Sequence, residues 1–271
     1  MNKWRLIIDA EPQSAPMNMA IDEAMLKLHY YLQTPPTLRL YQWRKPTLSI
    51  GYFQKIDRDI DLETLKKSGV ELIRRSTGGR AVLHHHELTY SVVLGEDYPQ
   101  MPKGVTESYR YLSQGLVKAL EYLDIPCELA FKTEKTKNLS PACFDTPSQY
   151  ELLVQSKKII GSAQVRKQGT ILQHGSIPLQ LNTDLLFSLL RFRNDSIQER
   201  MKQKFVEKAI AINEVSRRDY AIAEIQEAVI GGFAEALSIK LEHQSLMPEE
   251  IALAEDLVKN KFESYEWNFN K

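Results

Sequence analysis

Cysteine is scarce in this chain: Cys127 and Cys143 are the only two in 271 residues. A disulfide scaffold needs more of them in a shorter chain, so both are expected as free thiols in a reducing cytoplasm. Net charge is absent too, because 35 Lys and Arg balance 35 Asp and Glu. Whole-chain electrostatics therefore give no support for nucleic-acid binding, although a local basic patch stays open. No run approaches the roughly 20 apolar residues of a spanning helix. The start, MNKWRLIIDAEPQ, has no apolar stretch of signal-peptide length, so neither a membrane nor an export route is expected. There is no phosphate-binding loop of the Walker kind, and no Ser-His-Asp or Cys-His-Asn set is legible. Internal repeats and low-complexity segments are missing as well.

What is present is an ordinary globular composition, 43% hydrophobic and 26% charged. The length leaves room for one large domain, or one with a small appendage. Lys3 to Asp9 reads as a strand. A helix follows, with Ser14 as N-cap, Pro16 in its first turn and an apolar face of Met17, Ala20, Ile21, Ala24, Met25 and Leu28. LRLYQW and TLSIGYF read as strands broken at Lys45-Pro46, and a helix from about Asp61 to Lys67 stops at Gly69. VELIRRSTGGRAVLHHHELTYSVV reads as two strands joined by Ser76-Thr77-Gly78-Gly79 in a hairpin or tight loop. Val105 to Leu123 is helical in spacing. KTEKTKNLSPACFDTPSQ is polar and expected as a loop. YELLVQ, KIIGSAQVRK and TILQHGSIPL are three strand-like runs, and Ser216 to Phe262 is mostly helical. Strands in the middle and helices at the ends predict an α+β fold, with mixed or antiparallel β-sheets packed by helices.

Four groups of residues could do chemistry. In Arg74-Arg75-Ser76-Thr77-Gly78-Gly79-Arg80, paired glycines permit close backbone approach to a ligand and the arginines could hold an anion. A surface hairpin with solvated arginines is the plainer alternative. His84, His85 and His86 invite a metal reading, with His84 and His86 on one face if the strand continues. Zinc would need two or three further ligands and His174 is the only obvious one, so no metal is expected. Cys143 lies in a polar, proline-bounded loop suited to presenting a reactive group; Cys127 opens CELAF and is expected in the core. A cation near a thiol would favour the thiolate. Lys157 and Lys158 are available, and alternation alone does not choose between them.

Together these pieces resemble a family. Arg74-Arg-Ser-Thr-Gly-Gly-Arg-Ala-Val-Leu-His84, then Lys158-Ile-Ile-Gly-Ser-Ala163, then Gln173-His-Gly-Ser-Ile177 are similar, in order and spacing, to the three signature stretches of the lipoate ligase, octanoyltransferase and biotin ligase superfamily. LRLYQWRKPTLSIGYFQ fits it too, and the resemblance covers roughly residues 1 to 250. Within it, Cys143-Phe-Asp-Thr-Pro-Ser-Gln-Tyr-Glu-Leu resembles the LipM-type octanoyltransferases. That resemblance implies a biotin/lipoate ligase-like catalytic domain over 1–215 and a helical C-terminal extension over 216–271. It implies Cys143 as nucleophile and Lys158 as the lysine that lowers its pKa. It implies Arg75, Gly78, Gly79, His84, Gly161, Ser162, Ala163 and His174 around the acyl group, with leucine, isoleucine and valine of the central strands available to line an acyl tunnel. The chain departs from the family where Ser76 replaces a usual proline and where His85 and His86 replace non-histidine polar residues.

The implied activity is ping-pong transfer of an octanoyl group from octanoyl-acyl carrier protein to a lysine of a lipoyl domain, the glycine cleavage system H protein, in lipoate biosynthesis. No cofactor is implied, and neither nucleic acid nor membrane. An ATP-dependent lipoate–protein ligase shares the fold, the glycine loop and the lysine but needs no cysteine. The amidotransferase branch also has a loop cysteine. A non-catalytic binder of lipoyl or biotinyl groups could lose either Cys143 or Lys158.

Overall fold

The computed structural model describes residues 2–131 and 150–269. The polar segment expected as a loop, with Cys143 in it, lies outside the described residues. In chain order the elements are β1 (Asn2–Ile8), α1 (Ala15–Leu32), β2 (Thr37–Tyr41), β3 (Thr47–Ile50), α2 (Ile56–Asp59), α3 (Leu62–Ser68), β4 (Glu71–Arg74), β5 (Val82–His84) and β6 (Glu87–Gly95). They continue with α4 (Val105–Tyr122), β7 (Glu128–Phe131), β8 (Tyr150–Val154), β9 (Lys157–Lys167) and β10 (Thr170–Pro178). The last are α5 (Thr183–Ser188), α6 (Asp195–Lys208), α7 (Ile212–Val215), α8 (Ile222–Ala236), β11 (Ile239–His243), α9 (Pro248–Leu257), a π-helical turn (Val258–Phe262) and α10 (Tyr265–Phe269).

Eight strands form one mixed sheet in the order β11-β1-β2-β6-β10-β9-β8-β7. β11, β1 and β2 run parallel and the rest pair antiparallel. A smaller sheet has the order β4-β3-β5. The α+β expectation therefore holds. Two local details refine it. The glycine stretch is not a hairpin, because β3 lies between β4 and β5, parallel to one and antiparallel to the other. Sequence adjacency suggested a pair; the connection is the tight loop that was the other reading. The region from Ser216 on also contributes a strand: β11 adds to the sheet edge beside β1. Its five residues, IKLEH, carry too short a pattern to stand out between two helices.

Alternation along the central strands separates two cores. Leu88, Tyr90, Val92 and Leu94 of β6 face α4 and α8, while Val93 joins the cluster on the α1 and α9 face. The polar residues of that second face, Glu87, Thr89 and Ser91, are all buried. α1 begins as expected, with Ser14 accepting from the Met17 amide and a left-handed Gln33 at its end. It does not have a single apolar face, however: every residue from Asn18 to Leu26 is buried. α3 is capped by Asp61 and stopped by left-handed Gly69, as read from sequence. Among the described residues no helix is long and apolar enough to cross a membrane.

α4 and α8 cross at a glycine contact. A Cβ on Gly232 would stand 2.4 Å from the Gly115 carbonyl oxygen and 2.5 Å from the Ala119 nitrogen. Both are helix backbone and cannot step aside. Helix propensity alone would reward Gly232→Ala by about 1 kcal/mol, whereas overpacking costs about 1–3 kcal/mol. Gly232→Ala is therefore expected to lower the urea midpoint; a raised midpoint would mean that the helices separate freely.

Candidate active site

The site face of the large sheet meets the small sheet under α1, and a cleft opens between them. It is lined by Met19 and Tyr41, by Ser49, Arg75, Val82 and His84, by Thr89, and by Gly161–Ala163 and His174–Ser176. It is narrow and partly open to solvent. Six residues named from sequence, Arg75, His84, Gly161, Ser162, Ala163 and His174, thus line one cavity. The pairing of β9 with β10 places Ala163 beside His174. The apolar lining is Met19, Tyr41 and Val82, whereas the leucines, isoleucines and valines of the central strands expected there, such as Leu88, Val92 and Ile171, point into the opposite core.

Gly78 and Gly79 belong to the loop that roofs this region. Gly79 has φ +100°, a conformation that side chains disfavour. The loop presses so closely on β3 that a Cβ on Gly51 would meet the Gly79 carbonyl oxygen at 2.0 Å. Arg75 shapes this loop from inside. Its guanidinium donates to the Ser49 carbonyl, the Ser49 hydroxyl and the carbonyls of Gly78 and Arg80 at 2.7–3.2 Å. Arg74 is fully buried and donates to the carbonyls of Gly51, Tyr52, Gln54, Trp267 and Asn268. The sequence suggested anion holders; the structure shows both guanidiniums spent largely on backbone carbonyls.

His84 is fixed on both nitrogens, Nδ1 at 2.7 Å from Glu87 Oε1 and Nε2 at 2.8 Å from Ser49 Oγ, and its ring stacks on Trp43 at 4.1 Å. The strand ends there. His86 has φ +52°, so the expected shared face of His84 and His86 does not form. Among the described residues no group of three or more His, Cys, Asp or Glu could hold a metal ion. Cys127 packs beside the α4 and α8 core as read, and burial, with Glu121 nearby, pushes its thiol up to about 11.

His174 is the middle of a buried chain. Its Nδ1 lies 3.1 Å from Asp22 Oδ2, and its Nε2 lies 2.7 Å from Thr77 Oγ1 in the glycine loop. The carboxylate only accepts, so Nδ1 carries a proton, and in the neutral ring Nε2 accepts from the threonine. Burial alone would raise the Asp22 carboxyl. The hydrogen bond from His174, the charge of Arg39 and the Ser91 hydroxyl overcome that and hold it below the usual carboxylate range. The next residue, Glu23, accepts from Ser76 Oγ at 2.6 Å and pairs with Lys261. Sequence reading missed both acids. Their signal was present: Asp22 and Glu23 are the only charges between Ala15 and Leu26.

Lys158 does not line the cleft. It is buried at the foot of β9 with its Nζ 3.4 Å from the equally buried Glu151 Oε1. Directly after Lys158, β9 carries a bulge: Leu152 pairs with Ile160 and Leu153 with Lys158, leaving Ile159 extra. Lys157 instead donates to the Val206 carbonyl at the surface.

A family model described as "Lipoyl protein ligase A/B catalytic domain" matches residues 14–234. Curated relatives named octanoyltransferase LipM match this chain over essentially their full length. The Brevibacillus brevis protein is 50% identical, covering 100% of both chains, and the Bacillus subtilis protein is 43% identical, covering 99% of this chain and 98% of its own. This chain belongs to the LipM octanoyltransferase family. Among solved structures, an archaeal bipartite lipoate protein ligase from Thermoplasma acidophilum is similar with TM-score 0.83 at 26% identity, over 99% of this chain and 96% of its own. A lipoate-protein ligase A bound with ATP is similar with TM-score 0.82 at 27% identity, over 99% and 98%. LipM membership makes the chain an acyltransferase on a lipoate-ligase fold.

Removing the Asp22 charge while leaving Arg39 buried should be costly, about 3–5 kcal/mol by analogy with broken buried pairs. Because its folded pKa is depressed, this contribution is complete above the unfolded carboxyl value of about 4 and is lost as pH falls through the lower folded value. Urea midpoints of wild type and Asp22→Asn should therefore differ widely at pH 7 and converge below about pH 4. A gap that stays constant with pH would remove Asp22 from this role.

Proposed function

We propose that the protein carries an octanoyl group from acyl carrier protein, as a thioester on Cys143, to a lysine ε-amine of a lipoyl domain such as the glycine cleavage system H protein. The observation that carries this reading is the full-length match to proteins named octanoyltransferase LipM. The cleft supports it: a narrow space under a glycine loop, with apolar Met19, Tyr41 and Val82 in its wall, suits an alkyl chain. Gly78 and Gly79, with Arg75, are assigned to shaping this acyl site, and His84, Gly161, Ser162, Ala163 and His174 to lining it.

In the first step the Cys143 thiolate attacks the thioester carbonyl carbon, a new C–S bond forms, the old C–S bond breaks, and the carrier leaves as a thiolate that takes up the proton Cys143 had given up. In the second, the neutral acceptor amine attacks the same carbon, an amide forms as the C–S bond breaks, and the proton lost from nitrogen ends on the released Cys143 sulfur. Thioester to thioester is close to energy-neutral and thioester to amide is downhill, so no ATP enters. Lys158 is assigned to stabilising the thiolate, and the burial of its ammonium beside Glu151 keeps that charge in one place. Cys143 is seven residues before Tyr150, the start of the strand that carries Glu151. The lipoyl-domain acceptor draws support from the archaeal neighbour, whose description pairs the ligase with its E2 lipoyl domain.

Intact-protein mass spectrometry after mixing with octanoyl-acyl carrier protein, without ATP, should show one hydroxylamine-labile octanoyl adduct, absent from Cys143→Ala. Activity that requires ATP and free octanoate or lipoate, with no adduct, would make the chain a ligase like its structural neighbours. Lys158→Ala should slow alkylation of Cys143 by iodoacetamide at pH 7, through loss of thiolate. An unchanged rate-against-pH curve would release Lys158 from that role.

A further inference from the structure

The described C-terminal residues fold back over the entrance to the glycine loop. Trp267 Nε1 donates to the Arg74 carbonyl, and Asn268 Oδ1 accepts from the Arg74 amide, both at 2.8 Å. Between α9 and α10 the helix widens into the π-helical turn at Val258–Phe262, a form that recurs at functional sites. This turn carries Lys261, whose side chain is mostly buried. Its ammonium lies 3.8 Å from the Trp267 ring centroid and 4.8 Å from that of Phe262, and it donates to Glu23 Oε2. The same carboxylate oxygen accepts from the Ser76 hydroxyl at 2.6 Å. Lys261, Glu23 and Ser76 thus form a continuous relay from the C-terminal segment, through α1, to the residue beside Thr77.

We propose that Lys261 is a positioning residue for substrate: acting through Glu23, it clamps Ser76 and so sets the shape of the glycine loop over the acyl cleft. The proposal rests on the reading of that cleft as the acyl site. The loop has two such tethers, on consecutive residues. Thr77 is held through His174 by Asp22, and Ser76 is held directly by Glu23. The first is sealed in the sheet, whereas the second ends on an amine that can lose its charge.

The charges around Lys261 are Glu23 and Lys27 of α1 and Lys167 at the end of β9. Burial, with the two lysines, lowers the Lys261 ammonium to about 8 against the pull of Glu23. Above that value the ion pair is lost and Glu23 keeps only Lys27, at 3.1 Å, and Ser76. The clamp should then loosen as pH rises through about 8.

The test combines amide hydrogen exchange with steady-state kinetics on the full chain. In Lys261→Met, exchange at residues 75–80 should rise, and KM for octanoyl-acyl carrier protein should rise roughly tenfold, the size of one lost charge-assisted hydrogen bond, with kcat unchanged. Wild-type KM should climb as pH passes about 8. Lys261→Arg keeps its charge and should hold KM low through that range, while Lys261→Met should be high and flat. Wild-type exchange and KM in Lys261→Met would overturn the proposal. So would exchange rising across the whole sheet with kcat and KM falling together. Should Lys261→Met not fold, Ser76→Ala, which leaves the ion pair intact, must by itself raise loop exchange and KM; failure to do so is equally fatal. If wild type transfers no octanoyl group at all, the proposed function falls, and exchange at residues 75–80 alone decides the clamp.

Discussion

The buried guanidinium of Arg39 is the contact on which the remainder of the site depends. It sits fully buried on β2 and donates to both oxygens of Asp9, to Asp22, and to the carbonyl and side-chain oxygens of Asn18, with its plane 4.0 Å from the Tyr41 ring centroid. A buried cation is tolerable only when its charge and its donors are matched, and here Asp9, Asn18 and Asp22 meet both needs. The consequence is geometric. α1 cannot rotate or slide on the sheet without stripping Arg39 of its partners. Asp22 and Glu23 therefore stand at fixed points above β6 and β10, and the side-chain tethers on Ser76 and Thr77 start from them.

This arrangement explains why the cleft is bounded by polar groups on a face that would otherwise close as core. Thr89, Ser91, His174 and Ser176 are buried, and each has a carboxylate partner from Glu87 or Asp22, with Thr89 also accepting from Trp43. A polar wall satisfied from behind presents few unmet hydrogen bonds to the cavity. It can face an alkyl chain at little cost while its geometry stays fixed by electrostatics. Glu87 does for His84 and Ser176 what Asp22 does for His174 and Ser91.

Much of this was legible beforehand. The N-cap at Ser14, the stop at Gly69 and the run of β8, β9 and β10 follow from local residue chemistry that tertiary structure did not override. The three signature stretches converge because β9 and β10 are neighbours and the glycine loop folds over them. What local residue chemistry did not disclose is non-local. β3 inserts between β4 and β5, which no spacing within the RRSTGG stretch could disclose. β11 pairs with β1 across more than 200 residues of sequence. Asp22 and Glu23 were invisible to periodicity because a helix buried all round its middle has no polar face to mark. Alternation left Lys157 and Lys158 open, and Lys158 is named by resemblance. Cys143 is placed by resemblance alone.

The buried ion pairs also divide by cation. Where a pair holds the framework, the cation is arginine. Arg39 binds Asp9 and Asp22, and Arg5 meets Glu250 in a two-point contact at 2.7 and 2.8 Å that ties β1 to α9. Guanidinium keeps its charge at any ordinary pH and its planar fork matches a carboxylate, so these joints do not loosen. Two further buried carboxylates take lysine instead: Glu151 pairs with Lys158, and Glu23 with Lys261. An ammonium is a point charge on a flexible stem, and it can give up its proton when buried. Putting arginine there would make the surroundings of the site as permanent as its foundations. Lysine leaves a fixed scaffold with an adjustable charge at Lys261, whose ammonium burial lowers to about 8.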